Sequence, residues 1–190
     1  DKVIQKDLFK EYGIPTCNYV WFYDFEFSKN KKDVLSKISK LNYPLYVKPS
    51  SLGSSIGITL ANDEKELIKG IKEAIKFDRK IIVEEKIDNL KEVNVSVLGD
   101  YENQVISEIE EINSSEDFYS FKEKYVGDYS KGREKGEISP LLKSKEMIED
   151  IKNYAVKVFK AINASGVARI DFLIDKEEKK AYINEINTCP

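Results

Sequence analysis

Histidine is absent from the 190-residue chain, and cysteine occurs only as Cys17 and Cys189. The first absence excludes Ser-His-Asp and Cys-His catalysis and any His-based zinc site within this chain. Two cysteines are too few for a disulfide framework or a four-cysteine metal site, so we expect free thiols. Any chemistry must therefore come from carboxylates, lysines, hydroxyls, the three arginines and a hard cation.

The chain also lacks a strong net charge and a long apolar run. Lysine and arginine total 31 against 34 acidic residues, a net charge of -3, so no bulk basic field favours nucleic acid. No apolar run approaches the roughly 20 residues of a membrane span. The charged opening residues do not resemble a signal peptide. We expect a cytoplasmic protein with neither nucleic acid nor membrane as a partner.

Hydrophobic residues make up 41% of the chain and charged residues 34%, a composition typical of a globular protein. Apolar spacing predicts helices within 3–9, 34–41, 67–75 and 147–162, and strands at 18–23, 43–48, 56–60, 80–84, 93–98, 105–109, 167–174 and 180–186. Asp63 and Glu66 predict an N-cap and N3 pair before the third helix. The charged stretch 127–140 is predicted to be a loop long enough to act as a lid. Interleaved strands and helices indicate an α/β or α+β class.

The last predicted hairpin carries an acidic cluster. Residues two apart on a strand share a face. Arg169 and Asp171 therefore lie on one face of the first strand, and Glu185 and Asn187 lie on one face of its partner. If the turn centres on Glu178, Asp171 lies opposite Glu185 and Arg169 lies opposite Asn187. Two opposed carboxylates repel each other and destabilise a sheet. A hard cation such as Mg²⁺ bound between them would make the same arrangement favourable. The alternative is a hairpin with one solvated, charged face.

A glycine-serine segment, Gly53-Ser54-Ser55-Ile56-Gly57, follows the predicted strand that contains Lys48. It lacks the Gly-Lys-Ser/Thr ending of a P-loop, and no helix follows it. Its backbone N–H groups and hydroxyls are able to cover phosphates, although a plain turn is the alternative. Lys48 alone is consistent with a solvated lysine. Glu84 ends an apolar run, where a carboxylate is less routine.

Taken together and in order, several segments resemble the ATP-grasp superfamily, specifically the D-alanine–D-alanine ligases. The matching text is Asp1-Lys2 to Lys6, Tyr12-Gly13-Ile14-Pro15, Val47-Lys48-Pro49, Gly53-Ser54-Ser55-Ile56-Gly57, Val83-Glu84-Glu85, Phe118-Tyr119, Lys124-Tyr125, Ala168-Arg169-Ile170-Asp171-Phe172 and Asn184-Glu185-Ile186-Asn187-Thr188. The glycine-serine loop, Arg-x-Asp and Asn-Glu-x-Asn-Thr in this order are specific. The resemblance favours a functional role for the acidic hairpin over the alternative of a solvated, charged face.

The resemblance implies an α+β ATP-grasp fold in which two α+β subdomains hold ATP between them. Residues 1–16 would form a linking helix, 17–98 the central subdomain and 99–190 a truncated C-terminal subdomain. The chain begins without methionine and stops soon after a strand-like run. We therefore expect a fragment without the family's N-terminal domain and C-terminal tail.

The resemblance also implies an ATP site. Phosphate contacts, an adenine acceptor and a ribose acceptor are each assigned by motif position. The set comprises Lys6 and Lys48 on the phosphates, Gly53, Ser54, Ser55 and Gly57 over the β- and γ-phosphates, Glu84 on the adenine amine beside the backbone of Lys86 and Ile87, Glu92 on the ribose, Phe118 stacked on adenine, and Lys124 on the γ-phosphate.

By the same resemblance, Asp171, Glu185 and Asn187 would bind two Mg²⁺ ions, with Mn²⁺ as a substitute. The implied catalytic set is Arg169, Ser54, Lys124 and Tyr125, with Arg169 stabilising the acyl phosphate and the tetrahedral intermediate. ATP would phosphorylate one D-alanine carboxylate, and the amine of a second D-alanine would attack it, in peptidoglycan precursor synthesis.

Two other interpretations stay open. One is an ATP-grasp ligase with a different acceptor, D-serine or D-lactate, although the Lys124-Tyr125 pair favours D-alanine by resemblance. The other is a nucleotide-binding fragment that is inactive on its own. The family resemblance also suggests a homodimer for the full-length protein.

Overall fold

The structure is a computed structural model that describes residues 1–88, 90–112, 144–177 and 179–188. These residues form two compact units. The first unit contains Asp1–Val3 and Cys17–Lys86, and the second contains Ile4–Thr16 with 87–112 and 144–188. Within the described ranges, no helix is both long and apolar enough to span a membrane.

Helices and strands are interleaved along the chain. The helices are α1 (Lys2–Glu11), α2 (Asp24–Lys29), α3 (Lys31–Ile38), α4 (Glu64–Ala74) and α5 (Lys145–Ala161). The strands are β1 (Tyr19–Tyr23), β2 (Leu45–Pro49), β3 (Thr59–Ala61), β4 (Lys80–Glu85), β5 (Leu90–Gly99), β6 (Gln104–Ile106), β7 (Glu110–Ile112), β8 (Gly166–Asp175) and β9 (Lys180–Asn187).

The first unit is an antiparallel sheet in the order β1-β4-β2-β3. Alternating residues such as Phe22, Val47 and Val83 are fully buried in one core with apolar residues of α2, α3 and α4. Because side chains alternate across a strand, the remaining positions of these strands lie on the opposite face of the sheet. Lys48 and Glu84 belong to that opposite face.

The end of β3 leads into α4 through the predicted cap. Asp63 accepts a hydrogen bond from the N–H of Glu66 at 2.8 Å, and the Glu66 carboxylate accepts from the N–H of Asn62 at 2.8 Å. The N-cap and N3 prediction is therefore confirmed, with the return bond shifted from Asp63 to Asn62.

The second unit is a sheet in the order β6-β5-β8-β9, with β7 also paired to β5. Helix α5 covers one face, where Ile151 and Phe159 are buried in the same core as Val95 and Ile170. Ser144 caps α5 by accepting from the N–H of Met147 at 3.4 Å. The other face of β5, β8 and β9 carries the polar residues of the acidic hairpin.

The α+β class is confirmed, because both sheets are antiparallel with helices packed on one face of each. The predicted helices and strands are present, with two additions, α2 and β7, that the periodicity did not indicate.

Strand β5 groups with the second unit because it pairs with β8 over its whole length. This division differs from the expected boundary after residue 98. The predicted loop at 127–140 lies outside the described residues.

Candidate functional site

The register of the β8–β9 hairpin matches the prediction at the acidic cluster. Asp171 lies opposite Glu185, and Arg169 lies opposite Asn187. These four side chains therefore share the face of the sheet that points away from α5, while Ile170 is fully buried on the core face. The predicted cross-strand placement is confirmed.

A β-bulge in β9 produces this register. Nearer the turn, Phe172 pairs with Ile183, but the next pair is Asp171 with Glu185, so Asn184 is an extra residue. Without it, the regular alternation that buries Ile183 would send Glu185 to the core face. The bulge thus brings Glu185 and Asn187 to the polar face.

The Asp171 carboxylate is the centre of the cluster. It accepts two hydrogen bonds from Arg169, Nε to Oδ1 at 2.8 Å and Nη2 to Oδ2 at 3.0 Å. The Asn187 amide also donates to Asp171 Oδ2 at 3.0 Å. Burial raises the pKa of Asp171 above its ordinary value, opposed by the Arg169 and Asn187 hydrogen bonds and reinforced by the nearby Glu185 carboxylate.

The Arg169 guanidinium is held by the carboxylate two residues along the same strand. Its side chain is 39% exposed, against 17% for Asp171. The two parallel hydrogen bonds fix the plane of the guanidinium. The structure therefore contains the ion pair that would give Arg169 a purely structural role.

The outer edge of β9 is covered by residues from α1 and the segment that follows it. The Gln5 side chain pairs with the backbone of Ile186, accepting from its N–H at 3.3 Å and donating to its carbonyl at 3.4 Å. Pro15 accepts from the N–H of Ile183 at 2.8 Å. These bonds hold the strand on both sides of Glu185. Sequence reasoning missed Gln5, because nothing in the pattern links it to Ile186, 181 residues away.

Lys6 lies on α1, in the part of that helix that belongs to the second unit, and is 1% exposed. Its ammonium donates to the Thr16 hydroxyl at 2.9 Å, and that hydroxyl donates to the Ile183 carbonyl at 3.2 Å. Lys6 therefore supports the same edge of β9. Its predicted contact with ATP phosphates stays a prediction.

Glu92 lies on β5 opposite Leu173, two positions from Asn94, which lies opposite Asp171. Residues two apart share a face, so Glu92 is on the polar face of the second unit. Lys86 and Ile87 follow β4, and the N–H of Lys86 donates to the Pro44 carbonyl at 2.9 Å. The roles predicted for these residues toward adenine and ribose stay predictions.

In the first unit, Lys48 and Glu84 form a buried ion pair. Lys48 Nζ lies 2.7 Å from Glu84 Oε2, and the side chains are 12% and 3% exposed. The two residues are diagonal neighbours, since Lys48 is opposite Ile82 and Glu84 is opposite Tyr46. The structure thus brings together two residues that the sequence analysis had assigned separately to phosphate and adenine.

The glycine-serine loop joins β2 to β3, and no helix follows it, as predicted. Ser54 has φ 54°, Ser55 has φ 60° and Gly57 has φ 73°, all in the left-handed region. The N–H of Ile56 donates to the Gly53 carbonyl at 3.2 Å, which closes a turn around the two serines. Positive φ at both central residues is typical of a type I′ turn.

Lys2 contacts this loop, although the sequence analysis gave it no role. Its ammonium donates to the Leu52 carbonyl, at the entrance of the loop. The Asp1-Lys2 match to the family motif was the available signal, but the sequence alone did not show that α1 begins beside the loop.

Asp171, Glu185 and Asn187 offer two carboxylates and an amide oxygen. Oxygen donors of this kind suit Mg²⁺ and Mn²⁺, so the residues present fit a hard divalent cation. The described part of the chain contains no group of three or more acidic, cysteine or histidine side chains able to hold a metal; the set named here has two carboxylates and one amide.

Phe118, Lys124 and Tyr125 lie outside the described residues.

Residues 8–190 match the family model described as "D-ala D-ala ligase C-terminus". The chain is 42% identical over 191 residues to a D-alanine–D-alanine ligase of Acetivibrio thermocellus, covering all of this chain and 49% of that protein. It is 40% identical over 191 residues to the D-alanine–D-alanine ligase of Clostridium acetobutylicum, covering all of this chain and 54% of that protein. The chain spans about half the length of these curated relatives.

Two solved structures are similar in fold over the whole chain. The D-alanine–D-alanine ligase from Helicobacter pylori has a TM-score of 0.73 at 27% identity, with 51% of that chain covered. The VanG D-Ala:D-Ser ligase from Enterococcus faecalis has a TM-score of 0.79 at 30% identity, with 52% of that chain covered.

Proposed function

Because this chain belongs to the D-alanine–D-alanine ligase family and has its ATP-grasp fold, we propose that the whole protein joins two D-alanine molecules at the expense of ATP. The observation that carries the proposal is the bulged β8–β9 hairpin, which places Arg169, Asp171, Glu185 and Asn187 on one polar face. The product would serve peptidoglycan precursor synthesis in the cytoplasm, and the full-length protein would be a homodimer.

The proposed reaction has two steps. A carboxylate oxygen of the first D-alanine attacks the γ-phosphorus of ATP, the bond to the β-phosphate oxygen breaks, and ADP leaves. The amine of the second D-alanine then attacks the acyl carbon, the carbon–oxygen bond breaks, and inorganic phosphate and a proton leave. Phosphoryl transfer depends mainly on positioning and charge neutralisation, which suits a chain without histidine.

Arg169 is the proposed stabiliser of negative charge in this reaction. The bidentate contact with Asp171 fixes the guanidinium before substrate binds. A preorganised cation needs little rearrangement when charge develops on the acyl oxygen, so its effect is largest in the transition state. Ser54, Lys124 and Tyr125 complete the proposed catalytic set.

Asp171, Glu185 and Asn187 are the proposed metal ligands, holding two Mg²⁺ ions or Mn²⁺ in their place. Bound there, the ions would neutralise charge on the phosphate oxygens. The cross-strand opposition of Asp171 and Glu185 supports this role, because facing carboxylates repel each other and the Glu185 carboxylate raises the pKa of Asp171 even with Arg169 beside it.

The first unit supplies several of the other proposed ATP contacts. Lys48 would donate to a phosphate, Glu84 would accept from the adenine amine, and the glycine-serine loop would cover the β- and γ-phosphates. Lys6, Lys86, Ile87, Glu92, Phe118 and Lys124 complete the proposed nucleotide contacts.

Phosphate release by the full-length protein tests the proposal. The assay uses ATP and Mg²⁺ with D-alanine, L-alanine, D-serine or D-lactate, and identifies the product by mass. We expect phosphate release that depends on D-alanine and yields the D-alanine dipeptide, with no product from L-alanine. ATP binding without phosphate release in every mixture would favour a nucleotide-binding role instead.

A second candidate is a ligase that uses D-serine as the acceptor. The similarity to the VanG D-Ala:D-Ser ligase, which has the higher TM-score of the two solved structures described, favours keeping this candidate. Faster product formation with D-alanine plus D-serine than with D-alanine alone would select it, and D-lactate is tested in the same series.

A further inference from the structure

The turn after α4 contacts the glycine-serine loop at its entrance. The Asp78 carboxylate accepts from the N–H of Ser51 through Oδ2 at 2.7 Å, and from the N–H of Lys80 through Oδ1 at 3.2 Å. Ser51 lies two residues before Gly53. The carboxylate therefore ties the start of the loop to the start of β4.

The same turn contacts the loop at its exit. A Cβ atom built on Gly57 would lie 2.8 Å from Phe77 Cδ2 and 2.8 Å from Pro49 Cγ. Gly57 also has φ 73°, a conformation that disfavours side chains. The backbone at Gly57 is therefore packed directly against the Phe77 ring, which is the neighbour of Asp78 in sequence.

Between these two ends, the loop adopts a conformation that its own residues do not favour. Ser54 and Ser55 both have left-handed φ values, and a non-glycine residue stays in that region only when its surroundings hold it there. Within the loop, the N–H of Ile56 donates to the Gly53 carbonyl at 3.2 Å. The contacts made by Phe77 and Asp78 supply external support at the two ends.

Asp78 is suited to this task because it is a charged acceptor. Partial burial raises the pKa of its carboxyl, but hydrogen bonds from Ser51, Lys80 and Arg79 outweigh that effect and hold the pKa below its ordinary value. The group is therefore ionised near neutral pH, and hydrogen bonds to an ionised acceptor are stronger than those between neutral groups.

We infer that the Phe77–Asp78 turn is a clamp that holds Gly53–Gly57 in the shape that binds nucleotide phosphates, with Asp78 and Phe77 as positioning residues. The inference rests on the proposed function, in which this loop covers the phosphates of ATP. Neither residue touches ATP in the proposal. Each acts through the loop.

Asp78→Ala in the full-length protein tests the clamp, with Asp100→Ala as the matched control. Asp100 likewise accepts backbone N–H groups, from Glu102 at 2.9 Å and Asn103 at 2.8 Å, but it lies in the β5–β6 turn of the second unit. The first readout is hydrogen exchange of the amides in 51–57 without nucleotide. The second is the KM for ATP and for D-alanine.

We expect Asp78→Ala to speed exchange at Ser51 and through the loop by about tenfold or more. The KM for ATP should rise by a similar factor, while the KM for D-alanine stays within about twofold. Asp78→Asn keeps one carbonyl acceptor and should lie between wild type and Asp78→Ala. Asp100→Ala should leave both readouts of the loop unchanged.

Unchanged exchange in 51–57, or an unchanged KM for ATP in an active Asp78→Ala protein, would overturn the clamp. Should Asp78→Ala not fold, Asp78→Asn and Phe77→Leu are measured by the same criteria. A wild-type protein without ATP-dependent turnover would instead contradict the proposed function. In that case the exchange readout alone decides whether the turn holds the loop.

Discussion

Lys48 and Glu84 show how one buried residue pair links stability with the proposed ligand site. Their charged atoms are 2.7 Å apart and almost fully removed from water. Breaking such a pair leaves a buried charge poorly compensated, which is costly, whereas an exposed pair contributes little. ATP binding would exchange part of this pairing for phosphate and adenine contacts.

Lys48→Met should therefore reduce the free energy of unfolding by about 3 kcal/mol, measured by urea unfolding without nucleotide. Adding Glu84→Gln to the same chain should recover part of that loss, because the remaining buried group is then neutral. Lys76→Met is the control. Lys76 pairs with Glu73 on the surface, at 62% and 44% exposure, so its loss should stay below about 1 kcal/mol. Similar losses for both lysine variants would contradict the prediction.

Arg169 is the residue whose structural and catalytic roles most need to be separated. Lysine keeps the positive charge but cannot make the two parallel hydrogen bonds to Asp171. If Arg169 stabilises the acyl oxyanion, Arg169→Lys should lower kcat by about 10²–10³, with the melting temperature and ATP affinity nearly unchanged.

The measurement for Arg169→Lys combines steady-state kinetics with calorimetric ATP binding and thermal unfolding in the full-length protein. Arg79→Lys is the control, since the Arg79 side chain is 80% exposed and its Nε lies 3.7 Å from Asp24 Oδ2. Normal turnover in a well-folded Arg169→Lys protein would leave only the structural role.

At the scale of elements, β9 depends on an irregularity that the sequence encodes weakly. The predicted pairing of Asp171 with Glu185 is confirmed, although the pairs nearest the turn run from Asp175 with Lys180 in a different register. The buried residues Ala181, Ile183 and Ile186 are spaced by two and then by three, and this change of spacing was the signal for a bulge. A regular alternation was assumed, so the bulge at Asn184 was not predicted.

Gln5 is expected to keep the bulged strand in place. Gln5→Ala removes both bonds to Ile186, the residue between Glu185 and Asn187. Hydrogen exchange at the Ile186 amide should become faster, and Mn²⁺ affinity with ADP present should fall by about tenfold, as for other residues that orient metal ligands.

Gln104→Ala is the matched control for Gln5→Ala, because Gln104 also donates to backbone carbonyls, those of Asp100 and Tyr101, in the β5–β6 turn. It should change neither readout. Unaltered Ile186 exchange in the Gln5→Ala protein would show that the strand holds its position without this side chain.

Other elements show where periodicity ceases to inform. Helix α2 has six residues, Asp24–Lys29, fewer than two turns, so no repeating apolar face could indicate it. Strand β7 has three residues. Helix α4 was predicted because its cap and its apolar face agree, and such consistency between local signals is what makes an element predictable.

At the scale of the whole molecule, the α+β class and the order of elements followed from the sequence, but strand order did not. Lys48 and Glu84 are 36 residues apart, and they meet because β4 lies between β1 and β2. Hydrophobic alternation fixes which face a residue occupies, and it carries no information on which strand lies beside it. The ion pair and the Asp78 clamp therefore required the structure, whereas the acidic hairpin is local enough to be predicted.

Formation of an acyl phosphate is the step that distinguishes a ligase from a nucleotide-binding protein or a simple ATPase. In the proposed reaction, one oxygen of the first D-alanine carboxylate becomes bonded to phosphorus and leaves with inorganic phosphate. Hydrolysis of ATP by water would instead take that oxygen from solvent. The origin of a single oxygen atom therefore tests the chemistry directly.

The decisive measurement is the mass of the phosphate released when the full-length protein turns over ATP and Mg²⁺ with D-alanine labelled with ¹⁸O in its carboxylate, in unlabelled water. The proposed reaction predicts one ¹⁸O atom in each phosphate, formed together with the D-alanine dipeptide. Unlabelled phosphate released from ATP in the presence of labelled D-alanine would contradict it.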